Sequence, residues 1–193
     1  MKFSVSFEQR NCRNEEVCGD AVAVESDENA GITHVAVIDG LGHGPAAHAA
    51  ADAFVAYFRK TITPELPLVD LLNGASNAIA RTRGVAASVI RLDGNKREIQ
   101  YAGVGNVELM AVSVDPIRPI SKAGIIGRRL GRLLHFEYSL HHGDLLAVFT
   151  DGISSRFSLE SLRDMDPPAL CREVLSEWGK AHDDATIVAI RCH

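Results

Sequence analysis

The segment Thr33-His-Val-Ala-Val-Ile-Asp-Gly-Leu-Gly-His-Gly-Pro45 joins a strand, a turn and a helix within a short stretch of the chain. Its apolar run, 33–38, predicts a buried strand. Three glycines follow Asp39, and glycine lets the backbone turn sharply. Pro45 is favourable in the first turn of a helix, so the alanine-rich stretch 46–61 is predicted as a helix. The strand therefore ends on a carboxylate at the entrance to a tight turn.

The pattern of apolar residues on either side predicts further strands and helices. The three strands over 85–114 are predicted as a meander with a hairpin at Asp93-Gly-Asn95, and the glycine-rich basic stretch 121–134 is predicted as a loop. This order predicts an α+β fold with a mainly antiparallel double-sheet core. The predicted strands are 2–8, 20–25, 33–38, 85–92, 98–104, 107–114, 134–140, 144–149 and 185–191, and the predicted helices are 46–61, 68–82, 158–165 and 169–179.

Composition and charge exclude several classes of protein. The chain has 193 residues, 46% of them hydrophobic, and no linker or break in composition divides it, so one domain over 1–193 is predicted. The net charge of −5, from 20 basic and 25 acidic residues, argues against nucleic-acid binding. No apolar run is long enough to cross a membrane, and residues 1–4 do not begin a signal peptide. The four cysteines form no zinc pattern, and we expect reduced thiols in a cytoplasmic protein.

Aspartates stand where predicted strands begin or end. Asp39 and Asp151 each follow an apolar strand and precede a glycine, Asp20 opens a strand, and Asp183 and Asp184 precede the last strand. Antiparallel neighbours bring the end of one strand beside the start of the next, so these carboxylates could meet at one edge. Clustered carboxylates need a cation between them, and oxygen ligands favour Mg²⁺ or Mn²⁺. The alternative is that each Asp-Gly pair simply makes a turn.

Four short motifs resemble, in the same order, those of the metal-dependent protein phosphatases, the PPM family. They span most of the chain and are Gly19-Asp20, Asp39-Gly-Leu-Gly-His-Gly44, Thr150-Asp151-Gly152 and Asp183-Asp-Ala-Thr186. The short length and the second motif are most similar to the feedback phosphatases of the bacterial stressosome, and more distantly to sporulation phosphatases. The resemblance implies a four-layer αββα sandwich of two mainly antiparallel sheets flanked by helix pairs.

The resemblance also implies a binuclear metal centre with oxygen ligands. Asp184 would contact the ligands without binding a metal ion itself, although the motif leaves open whether Asp183 or Asp184 is the direct ligand. Asp20 and Asp39 would serve catalysis as well as metal binding. The implied centre holds two Mn²⁺ or Mg²⁺ ions, and its groups are a bridging Asp39, the Gly40 carbonyl, Asp151, Asp183 and, through water, Asp20.

The implied activity is hydrolysis of phosphoserine or phosphothreonine on a bacterial signalling protein by a metal-activated water. For a stressosome-type enzyme, the implied substrate is a phosphorylated STAS-domain protein, and neither nucleic acid nor a membrane is an expected partner. The alternative is a weak or inactive pseudophosphatase that binds a phosphoprotein regulator. A Ca²⁺-binding module is disfavoured because the sequence contains no loop with EF-hand spacing.

The sequence departs from the family pattern where substrate would bind. Many members place an arginine five residues before the position of Asp20, and this chain has Glu15 there. Arg13 is the nearest candidate for binding the substrate phosphate, with Arg10 as the other, and a solvated loop arginine is the alternative. A histidine that directly follows Asp-Gly in some members is replaced by Leu41. His43 could act as general acid instead or could help cap the next helix.

Two further features concern a third metal and docking. Asn106 stands where the family has an aspartate that can serve a third metal, so we expect that ion to be absent or weakly bound. The loop 121–134 carries Lys122, Arg128, Arg129 and Arg132. These residues could dock an acidic phosphoprotein through charge attraction, or could simply be solvated.

Overall fold

The structure is a computed structural model that describes all residues, 1–193. Two antiparallel sheets pack face to face and carry helices on their outer faces. The strands are β1 Phe3–Arg10, β2 Asp20–Asp27, β3 Ile32–Gly40, β4 Val85–Asp93, β5 Glu98–Val104, β6 Glu108–Val112, β7 Phe136–Ser139, β8 Leu145–Phe149 and β9 Ala185–Cys192. The helices are α1 Pro45–Thr61, α2 Leu68–Ala78 and α3 Pro167–Trp178, and Glu160–Leu162 form a 3₁₀ turn.

The predicted α+β fold with two antiparallel sheets is confirmed. One sheet has the strand order β1-β9-β8-β6 and the other the order β2-β3-β4-β5-β7. The predicted hairpin of β4 and β5 is confirmed, but the third strand of the predicted meander is wrong, because β6 leaves their sheet and pairs with β8. The crossing occurs at Gly105, whose φ of +89° favours glycine and whose Cβ would lie 2.4 Å from that of Ala86. Alternation in the sequence predicts a strand but does not specify its partner.

Residues 35–38 of β3 show why this part of the strand is apolar without alternation. Val35 and Val37 pack in the core between the two sheets, whereas Ala36 and Ile38 pack against the helices on the other face. All four side chains are fully buried. A strand covered on both faces has no solvent side and therefore shows no polar alternation.

The outer layers differ in their helix content. α1 and α2 cover the sheet of β2–β5 through Phe54, Phe58 and Leu71, among other buried residues. On the opposite face, α3 packs on β1 and β9, and the helix expected over 158–165 is only the 3₁₀ turn. Pro167 holds the preceding Asp166 in extended backbone, which limits helix formation before it. α2 ends at Ala78 and not near residue 82. No helix of the structure is both long and apolar enough to span a membrane.

Candidate metal centre

Two aspartates of the first sheet face each other at the edge where β2 begins and β3 ends. Asp20 and Asp39 are directly paired across the two strands. Just beyond the pair, the Gly40 amide donates a hydrogen bond to the Gly19 carbonyl at 3.1 Å. Asp20 is buried and Asp39 is half-buried. The register of this strand pair therefore fixes two carboxylates side by side.

The second sheet brings three more aspartates to the same edge. Asp151 follows β8, and Asp183 and Asp184 precede β9, the strand paired with β8. Thr150 connects this group to the first sheet, because its hydroxyl donates to Asp20 Oδ2 at 2.7 Å. Its amide also donates to the carbonyl of Thr186 at 3.1 Å. The structure therefore brings together all five aspartates that the sequence singled out.

The raised pKa values of the Asp39 and Asp20 carboxyls reflect their burial and the nearby charges of the other aspartates. Burial and, after it, the charges of Asp20, Asp151 and Asp183 together raise the pKa of Asp39 to about 8. Burial, with smaller contributions from the charges of Asp184 and Asp183, raises the pKa of Asp20 to about 7, and the hydrogen bond from Thr150 opposes this rise. Burial, and then Asp151, also raise the pKa of Asp183. Like charges held together in a partly buried site favour a bound cation.

Asp183 and Asp184 have different surroundings. Asp184 is buried, its Oδ1 accepts a hydrogen bond from the Cys12 amide at 2.8 Å, and its Oδ2 is buried without a hydrogen-bond partner. A Cβ on Gly19 would lie 2.6 Å from that oxygen, so only glycine fits there. Asp183 is half-buried, and its Oδ1 accepts from the Asp184 amide at 3.0 Å. Asp184 thus contacts the loop between β1 and β2.

Two glycines allow the backbone to approach the carboxylates. A Cβ on Gly40 would lie 2.3 Å from the carbonyl oxygen of Ala47, and one on Gly152 would lie 1.8 Å from that of Asp184. No side chain can be accommodated at either position without moving the backbone. The glycines that follow Asp39 and Asp151 are therefore required by close packing, in addition to any effect on turn formation.

The donor set fits a hard divalent cation in its chemistry. It consists of carboxylate and carbonyl oxygens, and one carboxylate oxygen, Asp184 Oδ2, is buried without a partner. The side chains are not arranged as a finished ligand set, because no group of three or more His, Cys, Asp or Glu residues has metal-binding geometry. Neutral donors hold two of the oxygens: Thr150 donates to Asp20, and Asn106 Nδ2 donates to Asp151 Oδ2 at 2.7 Å.

Arg13 and Arg10 do not approach the carboxylates through any hydrogen bond or ion pair. Arg13 is exposed, and only its backbone makes hydrogen bonds: its amide donates to the carbonyl of Ala181 at 3.0 Å, and its carbonyl accepts from Cys12 Sγ at 3.7 Å. Arg10 Nη2 is buried against Gly179, at the end of α3, without a hydrogen-bond partner. Arg13 is nonetheless tied to the site by its backbone, since the neighbouring Cys12 amide bonds Asp184.

Glu15 and His43 form a pair that the sequence did not predict. Glu15 Oε1 lies 2.5 Å from His43 Nδ1. The glutamate also packs against Gly44, where a Cβ would lie 2.4 Å from Oε2 and where φ is +70°. His43 makes no cap to α1, which has no side-chain cap at its amino end. Glu15, which stands where many family members have an arginine, thus contacts His43, the candidate general acid.

A groove of about 340 Å³ opens beside Asp39. The predicted loop 121–134 forms one wall, and the half-exposed Leu41 forms part of another. Lys122, Arg128, Arg129 and Arg132 of this loop are all exposed. The groove is lined by Asp39, Leu41, Ala86, Gly105, Asn106, Ala123, Gly124 and Ile125. A larger groove of about 840 Å³ runs along β6, and it contains none of the five aspartates.

Sequence reasoning also missed Arg83. The pairing of β3 with β4 places Val85 opposite Gly40, so the two residues before β4 flank the glycine turn. Arg83 Nη1 would lie 2.9 Å from a Cβ on Gly42. The register of β3 and β4 places Arg83 beside the glycine turn. Arg83 was missed because the sequence alone does not establish that register.

Comparisons with known proteins identify the family and the fold. The family model for SpoIIE, Stage II sporulation protein E, matches residues 29–193. The phosphoserine phosphatase RsbX of Bacillus subtilis (strain 168) is 24% identical over 148 residues, which cover 76% of this chain and 72% of RsbX.

Solved structures show the same fold. A structure described under the bacterial stressosome, a modular system adapted to control secondary messenger signalling, is 31% identical with a TM-score of 0.91 over 99% of this chain and 100% of the other. The structure of RsbX in complex with magnesium is 19% identical, with a TM-score of 0.86 over 99% and 96% of the two chains.

Proposed function

Because this chain belongs to the SpoIIE family, we propose that it is a metal-dependent protein serine/threonine phosphatase. The observation that carries the proposal is the convergence of five aspartates, from both sheets, at one edge of the sandwich. The relative RsbX is named a phosphoserine phosphatase, and a magnesium complex of it has this fold. The substrate would be a phosphoserine or phosphothreonine on a protein.

The metal ligands are proposed from the resemblance to the family, and the convergence of these residues at one edge supports them. We assign two Mn²⁺ or Mg²⁺ ions to this centre. Asp184 would not bind an ion directly but would orient the loop that contains Cys12, whose amide it accepts a hydrogen bond from. Bound ions would lower the pKa of a water and offset charge on the phosphoryl oxygens. The assigned ligands are Asp39 in the bridging position, the Gly40 carbonyl, Asp151, Asp183 and, through water, Asp20.

Neighbouring residues would orient these ligands. The Thr150 hydroxyl fixes Asp20 Oδ2, and the Asn106 amide fixes Asp151 Oδ2, each at 2.7 Å. Such outer contacts set the direction in which a carboxylate presents its oxygens. Asn106 also lines the groove beside Asp39, so it would touch both a ligand and the substrate. With an amide at this position, no third metal is proposed.

The groove beside Asp39 is the proposed path for the substrate peptide. Its apolar wall of Leu41 and Ile125 suits the stem of a phosphorylated side chain, and Asp39 also lines it. The basic loop could draw an acidic phosphoprotein towards it. We assign a phosphorylated STAS-domain protein of a stressosome as the partner, on the likeness to RsbX and to the stressosome structure. Arg13, exposed near the site, remains a candidate contact for the phosphate.

Two broader proposals concern the whole chain. We treat residues 1–193 as one phosphatase domain, because its two sheets share a core formed by residues from both ends of the chain, such as Val5 and Ile190. We place the reaction in the cytoplasm, because all four cysteines are free thiols and three of them are buried. Buried free thiols are usual for proteins of a reducing compartment.

A phosphatase assay tests the activity directly. The protein is incubated with a phosphoserine peptide, with Mn²⁺ or with a chelator, and released phosphate is measured. We expect turnover with Mn²⁺, none with the chelator, and a loss of at least about 100-fold in Asp39→Asn, because that change removes a bridging charge. The matched control is Asp70→Asn, on α2.

The competing function is a pseudophosphatase that binds a phosphoprotein without hydrolysing it. The replacement of the expected arginine by Glu15, held by His43, is the observation that favours it. Tight binding of the phosphopeptide, without phosphate release at any Mn²⁺ concentration, would establish this alternative and exclude the phosphatase.

A further inference from the structure

The segment before β4 carries an arginine to the carboxylate edge. β3 and β4 pair with Asp39 opposite Ala86 and Gly40 opposite Val85. The pairing continues one residue further, because the Leu41 amide donates to the Gly84 carbonyl at 3.0 Å. The next residue along is Arg83, which therefore lies beside the glycine turn that follows Asp39.

The guanidinium of Arg83 lies against this turn. Its Nη1 would be 2.9 Å from a Cβ on Gly42, so the absence of a side chain there makes room for it. Gly42 has a φ of +89°, a second reason for glycine at this position. Leu41, between Gly42 and the candidate ligand Gly40, lines the groove beside Asp39. Arg83 thus packs on Gly42, the residue that follows the groove residue Leu41.

The backbone around Arg83 is fixed on both sides. The Gly84 amide donates to Thr82 Oγ1 at 3.1 Å, and Val85 and Ile126 exchange two backbone hydrogen bonds at 3.0 and 2.9 Å. The Arg83 carbonyl accepts a hydrogen bond from Arg128 Nε at 3.3 Å. These contacts fix the backbone from which the Arg83 side chain extends. Less conformational entropy is therefore lost when the side chain binds an anion.

The guanidinium itself makes no hydrogen bond and no ion pair, in a chain whose acidic residues outnumber its basic ones. Arginine presents its N–H groups in a planar fork that matches two oxygens of a phosphate. Glu15 is unsuited to this task because it is an anion already engaged with His43. Arg13 has no contact that fixes its side chain.

We infer that Arg83 binds the phosphoryl oxygens of the substrate at the mouth of the groove beside Asp39. The inference rests on the proposed phosphatase function and names the residue that recognises the phosphate. It also predicts that inorganic phosphate, the product, binds at the same place.

The test compares Arg83→Ala and Arg83→Lys with the control Arg81→Ala, an exposed arginine two residues away. Calorimetry with Mn²⁺ present gives the dissociation constant of inorganic phosphate, and steady-state kinetics give KM and kcat for p-nitrophenyl phosphate and a phosphoserine peptide. We expect Arg83→Ala to weaken phosphate binding by about 10- to 100-fold and to raise KM similarly, as for loss of a charge-assisted contact. Arg83→Lys should be intermediate, and Arg81→Ala should stay within about twofold of the parent.

Each outcome decides the inference. Unchanged phosphate affinity in Arg83→Ala overturns it, even where the parent protein hydrolyses phosphopeptides and the proposed function stands. An effect on peptide KM alone, with phosphate affinity unchanged, also overturns it, as does an equal loss in Arg81→Ala. If the parent protein binds phosphate through Arg83 but hydrolyses nothing, the inference holds and the proposed function fails. If it does neither, both fail.

Discussion

Asp39 occupies the position where the charges of the site are most concentrated. It is paired with Asp20 across the strands and feels the charges of Asp151 and Asp183. A carboxyl whose pKa is raised to about 8 by burial and by these neighbours is costly to keep ionised. The fold therefore keeps a destabilising cluster, as is common where function requires it.

Replacing Asp39 with asparagine should separate stability from function. In the presence of a chelator, Asp39→Asn should be more stable than the parent by about 1–2 kcal/mol, because it removes a carboxyl that must either stay charged beside other carboxylates or take up a proton on folding. With excess Mn²⁺ the order should reverse, because ion binding stabilises the folded parent protein more than the variant. Urea unfolding under both conditions measures the two free energies of unfolding. A variant less stable than the parent in chelator would contradict the proposed repulsion.

At the scale of elements, a buried pair ties the connection between α1 and α2 to the first sheet. His34 on β3 accepts a hydrogen bond from Arg91 Nε, on β4, at 3.0 Å. Arg91 Nη2 also donates to the carbonyls of Thr63 and Leu66 in the connection. Burial, then the charge of Arg91, lower the pKa of His34 to about 4, against a smaller opposing effect of Asp27. A neutral His34 is therefore part of the folded state.

This pair predicts a pH dependence of stability. Between about pH 6.5 and 4 the unfolded chain binds a proton at His34 that the folded chain does not, so the free energy of unfolding falls as the pH falls. The loss is at most about 3 kcal/mol for a shift of this size. His34→Gln should reduce the difference in stability between about pH 7 and pH 4.5, whereas the exposed control His142→Gln should not. Equal slopes in all three proteins, measured in chelator, would contradict the assignment.

The elements also show what the sequence could and could not predict. The strand-turn-helix around Asp39 was predicted because apolar runs, Pro45 and glycines each have a local physical meaning. The partner of β6 was not, because pairing depends on contacts between distant residues. The same holds for the site: the aspartates follow from local motifs, whereas Arg83 and the Glu15–His43 pair depend on register and loop packing.

At the scale of the whole molecule, charge is unevenly distributed. The chain is acidic overall, yet exposed cations of the loop 121–134 lie beside the groove, and none of them forms an ion pair. Such a surface would attract an acidic phosphoprotein, and salt would weaken this attraction by screening the charges. These cations are Lys122, Arg128, Arg129 and Arg132.

Docking through this loop predicts a selective dependence on salt. Raising NaCl from about 0.05 to 0.5 M should lower kcat/KM for an acidic phosphoprotein by about tenfold, with little effect on p-nitrophenyl phosphate. Arg129→Glu should reproduce the loss at low salt, and Arg172→Glu, on the exposed side of α3, is the control. Equal salt dependence for both substrates would show that the loop is merely solvated.

In the proposed centre, aspartates from both sheets jointly bind two divalent ions. Titration of the metal-free protein with Mn²⁺, followed by calorimetry and by the electron paramagnetic resonance of free Mn²⁺, measures this directly. We expect about two ions per chain, with a magnetically coupled signal when both are bound, and a loss of that coupling in Asp39→Asn. Absence of Mn²⁺ binding, or binding that Asp39→Asn leaves unchanged, would contradict it.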